Sequence, residues 1–257
     1  MPEVTVITPN VPTWVDLNSK DLQASIKFYA ALFGWTANKV AGPEGGNYTY
    51  FELRGKHVAG LGDAMSPDQH PAWTLYMAST NADQTVAKMT AAGGNVVMPP
   101  MDVMTAGRMA IVQDAGGAAV GVWQAGEHKG AEITQEPSSM MWTELQTRDM
   151  PATVPFYQKA FGWDTKVSPM GAAMNDYTEW QILGESVAGG MAMSKNVPAN
   201  VPSFWLTYFG VENVSDSIAK VKQLGGQVMM GPDTYPNGQF AVCADSAGAT
   251  FGIMDRT

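Results

Sequence analysis

The octapeptide FYAALFGW, Phe28 to Trp35, returns as FYQKAFGW, Phe156 to Trp163, 128 residues further along the chain. The echo continues in order around it. WVDL at Trp14 returns as WTEL at Trp142, and Asp21 as Asp149, at the same offset. YTYF at Tyr48 matches YTEW at Tyr177, and VAG at Val58 matches VAG at Val187, both displaced by 129. Trp73 pairs with Trp205 and Gly93-Gly94 with Gly225-Gly226 at 132, and GRMAIVQDAGGAAVGV from Gly107 pairs with GQFAVCADSAGATFGI from Gly238 at 131. Matches that keep their order over an offset drifting by only four residues mark a tandem duplication, and a duplication decides the architecture before any element is assigned. The seam, Ala125 to Ser139, is polar and carries Gly and Pro, as a linker should.

Local signals alternate within each copy. Period-two alternation over Trp14–Asn18 predicts a half-buried strand. Ser19 or Asp21 offers an N-cap to a helix whose Leu22, Ile26, Tyr29 and Phe33 share one face, and Gly34 stands where a left-handed C-terminal residue is wanted. Tyr48–Leu53 and His57–Gly62 read as strands joined around Arg54-Gly55. The pattern restarts with a strand at Trp73–Met77, a helix at Ala82–Ala91 and strands near Val96, Met109–Val112 and Ala118–Trp123. The expectation is an α+β chain of four βαβββ modules. Residues 12–65 and 70–125 form a first domain (1–125), 126–139 a linker, and 140–195 and 202–257 a second domain (140–257).

Composition narrows the function. Hydrophobic residues are 45% of 257, enough for a substantial core, and charged residues only 15%. The net charge of −9 supplies no basic stripe, which argues against nucleic acid and against an anionic membrane surface as partners. The start, MPEVTVITPNVP, has no basic segment followed by an apolar one, and no apolar run approaches a membrane span, so a cytoplasmic protein is expected. A single cysteine, Cys243, excludes an intrachain disulfide, and three histidines leave little material for imidazole metal sites. GPEGG at Gly42–Gly46 is a turn signal without the Lys-Ser/Thr of a phosphate loop, and no nucleophile-elbow spacing is present.

The run D-L-x-x-S-x-x-F-Y-x-x-x-F-G from Asp21, the Gly-Gly closing the second helix, and D-x-x-G-x-x-x-G-V from Asp114 resemble the vicinal oxygen chelate superfamily. That group includes glyoxalase I, bleomycin-resistance proteins, fosfomycin-resistance enzymes and extradiol dioxygenases. The chain is most similar to its two-domain, metal-poor glyoxalase-like members, often labelled hydroxylases by association, of which a mycobacterial 27 kDa antigen is one. The resemblance implies paired modules curled into cup-shaped mixed sheets that hold a divalent metal on His, Gln or Glu. Carried over one by one, the ligand positions fall on Trp14, Gly60, Thr74 and Gly121, and in the second copy on Trp142, Gly189, Leu206 and Gly252. None of these supplies the expected ligand. No metal and no other cofactor is therefore expected, a divalent ion on atypical ligands being the disfavoured alternative. His57, by strand parity with Gly60, should point away from the cup, and His70 and His128 read as loop and linker residues.

What the cups retain is one acid each. Trp14 and Asp16 share a face, Val15 and Leu17 the other, and Trp142 and Glu144 repeat the arrangement. A carboxyl on an apolar wall is desolvated and its pKa rises, which suits a general base or a hydrogen-bonding anchor. The plain alternative is an acid held by neighbouring backbone, Arg or Tyr. Tyr76, Trp123 and Tyr208 share the inward parity, whereas that of Tyr48, Tyr177 and Trp180 is open; all suit a planar ligand or simply fill the cup. The methionines at Met98–Met109 and Met170–Met193 read as ordinary core. Arg108 could meet an anionic ligand, with Asp114 the nearer expectation.

The leading expectation is metal-independent binding, with sequestration or processing, of a small, partly aromatic molecule in one or both cups, through Trp14, Tyr76, Trp123, Trp142 and Tyr208. The alternatives are a lyase, isomerase or hydroxylase-like enzyme using Asp16 or Glu144 as base or an atypical divalent-metal site, and vestigial cups in a structural role. The duplication supplies an internal pseudo-dimer, so a monomer or a homodimer is expected.

Overall fold

The structure, a computed structural model, describes residues 4, 6–40, 47–66, 68–169 and 176–256. The GPEGG turn and Met170 lie outside the described residues. The first copy runs β1 (Pro12–Ser19), α1 (Leu22–Phe33), β2 (Thr36–Lys39), β3 (Thr49–Leu53), β4 (Lys56–Asp63), β5 (Ala72–Ser79), α2 (Ala82–Ala91), β6 (Asn95–Val103), β7 (Gly107–Gln113) and β8 (Ala119–Ala125). The second repeats it as β9 (Met140–Thr147), α3 (Met150–Phe161), β10 (Asp164–Ser168), β11 (Tyr177–Ile182), β12 (Glu185–Ala192), β13 (Phe204–Gly210), α4 (Val214–Gln223), β14 (Gln227–Tyr235), β15 (Gly238–Ala244) and β16 (Thr250–Met254). Four βαβββ modules result. Each copy forms one mixed eight-stranded sheet, in the order β2-β3-β4-β1-β5-β8-β7-β6 and β10-β11-β12-β9-β13-β16-β15-β14. In the first, β1 runs parallel to β4 and antiparallel to β5, so the two modules meet along their first strands.

Local chemistry accounts for the punctuation. Asp21 Oδ1 accepts from Ala24 N at 2.9 Å and Asp149 Oδ1 from Ala152 N at 3.0 Å, capping α1 and α3, while Ser19 Oγ holds the Asp21 N–H. Gly34 and Gly162 end those helices at φ 74° and 72°, where a side chain would be strained. Arg54 and Gly55 both take positive φ, the backbone a two-residue hairpin requires. Strand β2, Thr36–Lys39, is exposed throughout and has no apolar alternation, so nothing in its sequence located it.

One face of each helix packs into a single continuous core shared by the two copies. Phe28 packs edge-on against Phe251, and Phe33 lies tilted against Phe209. Two reciprocal hydrogen bonds cross the same layer: Tyr29 Oη donates to Asp245 Oδ2 at 3.0 Å, and Tyr157 Oη to Asp114 Oδ2 at 2.9 Å. Each tyrosine also accepts an indole N–H, from Trp73 and Trp205. The Asp of each D-x-x-G loop thus anchors the other copy while its Oδ1 accepts backbone N–H groups of its own turn.

The segment joining the copies is a strap rather than a loose tether. Gly126 N and His128 N donate to Ala106 O, Glu127 N to Thr105 O, Ala131 N to Thr13 O, and Glu132 N to His57 O. His128, Ala131, Ile133 and Ser139 are buried.

Candidate functional site

The concave face of the first sheet carries Trp14, Asp16 and Asn18 from β1, Tyr76 from β5 and Trp123 from β8, while Val15 and Leu17 enter the helix-side core. Register places Trp14 beside Tyr76, and Asp16 between Gly60 and Thr74. Trp14, Asp16, Tyr76 and Trp123 line a cavity of about 140 Å³, completed by Tyr48, Tyr50, Met104, Ala106, Met109 and His128. In the second sheet Trp142, Glu144 and Tyr208 come together in the same way, with Tyr208 beside both Trp142 and Gly252.

Two of the four positions that would hold a metal in each copy are closed by a tyrosine. A Cβ at Gly60 would lie 2.0 Å from the Tyr48 hydroxyl, and at Gly189 1.9 Å from that of Tyr177. A Cβ at Gly121 would lie 2.2 Å from the Tyr76 ring, and at Gly252 2.1 Å from that of Tyr208. Each glycine is a notch filled by a tyrosine. The remaining positions are Trp14 and Thr74, Trp142 and Leu206, and among the described residues no cluster of three His, Cys, Asp or Glu converges elsewhere. The residues present do not fit a His/Glu-held divalent ion.

Tyr48 and Tyr177, whose facing could not be fixed from parity, thus face the cups. Each accepts an indole N–H, Trp14 Nε1 at 3.0 Å and Trp142 Nε1 at 2.8 Å. Trp180 goes the other way and is wholly buried in the helix-side core.

Parity misplaces His57. The β3–β4 register slips between Phe51 and Glu52, so that Phe51 faces Ala59 and Glu52 faces His57. This bulge sends Val58 into the helix-side core and turns His57 to the cup side. Its ring stacks on Tyr50 with centroids 4.0 Å apart and planes at 11°. His128 is likewise no ordinary linker residue. It is 9% exposed, stands edge-on to Trp14 at 4.4 Å, and lines the cavity. Its main chain is held on both sides, its N–H by Ala106 O and its carbonyl by Trp123 Nε1 at 3.0 Å. No protein group reaches its Nε2, an omission that costs on the order of 1–3 kcal/mol when such an atom is buried. Burial, with His57 nearby, pushes the imidazole down to about 4, so it is neutral at physiological pH. Nothing in the sequence around His128 signalled this placement.

Both acids are desolvated. Burial pushes Asp16 up to about 7 against the opposing hydroxyls of Tyr76 and Tyr48, the latter 3.4 Å from Oδ2. Burial also raises Glu144, opposed by Gln146, whose Nε2 donates to it at 2.7 Å, and by Tyr177 and Tyr208. Tyr208 Oη lies 3.3 Å from Glu144 Oε1. In the first cup the residue at the place of Gln146 is Asn18, one methylene shorter, whose Oδ1 is buried without a protein partner.

Two further expectations fail. Arg108 meets neither a cavity nor Asp114: it forks onto Asp83 at 2.8 and 3.0 Å and reaches Asp102 at 2.9 Å, all at the surface. The Met98–Met109 run is not core, because β6 is the edge of its sheet; Met101 and Met104 are exposed, and Met104 and Met109 border the cavity. Among the described residues no helix is long and apolar enough to cross a membrane.

The model of the Glyoxalase/Bleomycin resistance protein/Dioxygenase superfamily matches residues 12–122 and 139–253. The chain is 36% identical over 268 residues to the anthracycline biosynthesis protein DnrV of Streptomyces peucetius, covering 98% of this chain and 95% of that protein. It is also 36% identical over 262 residues to CFP32 of Mycobacterium bovis, named as a candidate glyoxylase, covering 99% and 98%. The Mn(II)-bound glyoxalase of Novosphingobium aromaticivorans shares the fold at a TM-score of 0.67 and 18% identity, over 97% of this chain and 83% of that one. The chain belongs to the Glyoxalase/Bleomycin resistance protein/Dioxygenase superfamily.

Proposed function

From that membership as premise, we propose that this protein binds a small, planar, aromatic molecule in the cup of its first domain, without a metal. The observation that carries this reading is the first-cup cavity itself. Trp14, Tyr48, Tyr76 and Trp123 wall it with flat apolar surface. Its polar groups are Asp16, His128 and the Tyr50 hydroxyl, the Tyr48 and Tyr76 hydroxyls and both indole N–H groups being already engaged. A largely apolar pocket with few polar groups suits an organic ligand oriented at one or two points. A volume of about 140 Å³ admits one ring, since an apolar cavity of roughly 150 Å³ accepts benzene. Where the superfamily's metal ligands would stand, glycines and tyrosines remove both the donors and the space. The relative named for anthracycline biosynthesis supports an aromatic ligand class.

One observation favours an enzymatic reading beside this one. The Asp16 carboxyl, at about 7, takes and returns a proton readily near neutral pH. In that reading Asp16 is the general base of an isomerase or lyase, and binding is its first step.

Calorimetry and tryptophan fluorescence with single-ring aromatic compounds test the proposal on the full chain treated with EDTA. Saturable one-to-one binding is expected, unchanged by EDTA or added Mn(II), and abolished by Ala106→Phe, which fills the cavity from its rim. Loss of binding on chelation removes the metal-free reading, and binding that survives Ala106→Phe places the ligand elsewhere. Turnover lost in Asp16→Asn with binding retained selects the enzymatic reading.

A further inference from the structure

The first cup holds an acid that no protein cation answers. Asp16 lines the cavity and keeps part of its surface accessible, whereas its counterpart Glu144 is 8% exposed and takes the Gln146 amide. Among the described residues no lysine or arginine borders the cavity, and His128, neutral at physiological pH, brings no charge to it. The groups set against the Asp16 carboxyl are the Tyr48 and Tyr76 hydroxyls. A hydroxyl donates a hydrogen bond to a carboxylate without cancelling its charge, and an uncompensated charge in an apolar site is costly. A cation beside the carboxyl would favour its ionised form and supply the missing partner.

The same carboxyl stands in a box of aromatic rings. Trp14, Tyr48, Tyr50, Tyr76 and Trp123 all border the cavity. Neighbouring rings meet near right angles, Tyr48 and Tyr50 at 85° with centroids 5.6 Å apart, and Trp14 and Tyr50 at 70° and 6.1 Å. Aromatic faces are negative, and rings arranged as a cage attract a cation, most of all one without N–H groups. A primary ammonium would bring three donors between walls that leave most of them unmet, whereas a charge spread over a methylated ring brings none. We propose that the ligand of the first cup is a heteroaromatic cation of the N-methylpyridinium class, its positive charge set against Asp16 inside the tryptophan and tyrosine box. This rests on the reading of that cup as an aromatic-binding site and adds the charge of its ligand.

N-methylpyridinium and toluene share nearly one shape and differ in charge, so titrating both against the full chain by calorimetry isolates the electrostatic part. An apolar cavity without a counter-charge admits toluene and excludes the cation, because a charge leaves water at a cost that ring contacts do not recover. The unaltered protein is expected to bind N-methylpyridinium at least as tightly as toluene. In Asp16→Asn the cation is expected to weaken at least about tenfold while toluene binding is retained, the loss of one close charge pair. Ala106→Phe, which fills the cavity, is expected to abolish both. The comparison in the unaltered protein decides the matter whether or not Asp16→Asn keeps its fold. Toluene bound and N-methylpyridinium excluded overturns the cationic assignment and leaves the cup as a binding site. So does cation binding of unchanged strength in Asp16→Asn or Ala106→Phe, which places it on the acidic surface of a chain of net charge −9. Failure of both compounds to bind the unaltered protein overturns the cup reading and this inference together.

Discussion

The two cups descend from one sequence, yet they finish differently. Both place a tryptophan, an acid and two tyrosines at matching positions, and in both the tyrosines fill glycine notches. The first cup then adds an aromatic rim, with Tyr50 stacked on His57 and His128 set against Trp14. At the corresponding places the second cup has Glu179 and Ser186, which hydrogen-bond each other at 2.6 Å. Its hairpin differs too. Tyr235 stands where the first cup has Val103, and Phe240 where it has Met109, and both pack into the cluster around Tyr208. One cup is walled and strapped around a cavity; in the other the hairpin aromatics pack against Tyr208. Duplication copied the frame, and the rim residues diverged.

The shared frame is the place to expect the largest effect. Gly121→Leu and Gly252→Leu each drive a side chain into a tyrosine ring and should cost about 3 kcal/mol or more apiece, read as the loss of denaturation midpoint. A small cost in one copy alone would break the equivalence of the frames. Next come the reciprocal anchors. Tyr29→Phe and Tyr157→Phe each strip a buried Asp and a buried indole N–H of a partner, for about 2 kcal/mol each by urea unfolding. Unequal losses would show that the cross-domain contacts have diverged as the rims have.

Protonation sharpens the contrast further. Asp16 has its pKa raised to about 7, so its favourable contribution is complete below about 3.8 and is lost as pH rises through 7. His128 has its pKa lowered to about 4, so its contribution is complete above about 6.5 and is lost as pH falls through 4. Between pH 4 and 6.5 the two slopes oppose each other in the first cup. Asp16→Asn leaves the His128 slope alone, and its stability should gain on the unaltered protein by on the order of 1 kcal/mol per pH unit up to about 7. Glu144 has no opposing imidazole in its cup, and Glu144→Gln should remove a loss of the same sign as that of Asp16. Urea unfolding from pH 4.5 to 7.5 reads both. The smallest effect is a gain. Tyr235→Val with Phe240→Met gives the second cup the hairpin residues of the first and should confer weak binding of toluene, detected by ligand-observed NMR in a background where Ala106→Phe closes the first cup. No binding would show that the strap, rather than the hairpin, makes the site.

Much of the frame was legible because it repeats. Duplicate motifs gave the module pattern apart from β2, an N-cap at Ser19 or Asp21, the C-cap at Gly34 and the shared face of Trp14 and Asp16, all properties of local backbone period. The rim was not legible. His57 faces the cup because one bulge reverses strand parity, and a bulge leaves no mark in an alternation pattern of a few residues. Tyr48 lies just ahead of β3, where no period exists to orient it. Arg108, at the start of β7, meets Asp83 in the first turn of α2 and Asp102 on β6, while Asp114 lies beyond the far end of β7 and is held by Tyr157.

The sequence by itself determined that this chain is a duplicated α+β protein, with one acid on each concave sheet face and no ligand residues where a metal would sit. Repeats, caps and parity are local, and local chemistry is written in order along the chain. Only the tertiary structure decided that a histidine in the joining segment enters the first cup, that tyrosines fill the glycine notches, and that each copy's Asp anchors the other. Those depend on contacts between residues as far as 216 positions apart, which no local pattern encodes and which only packing selects.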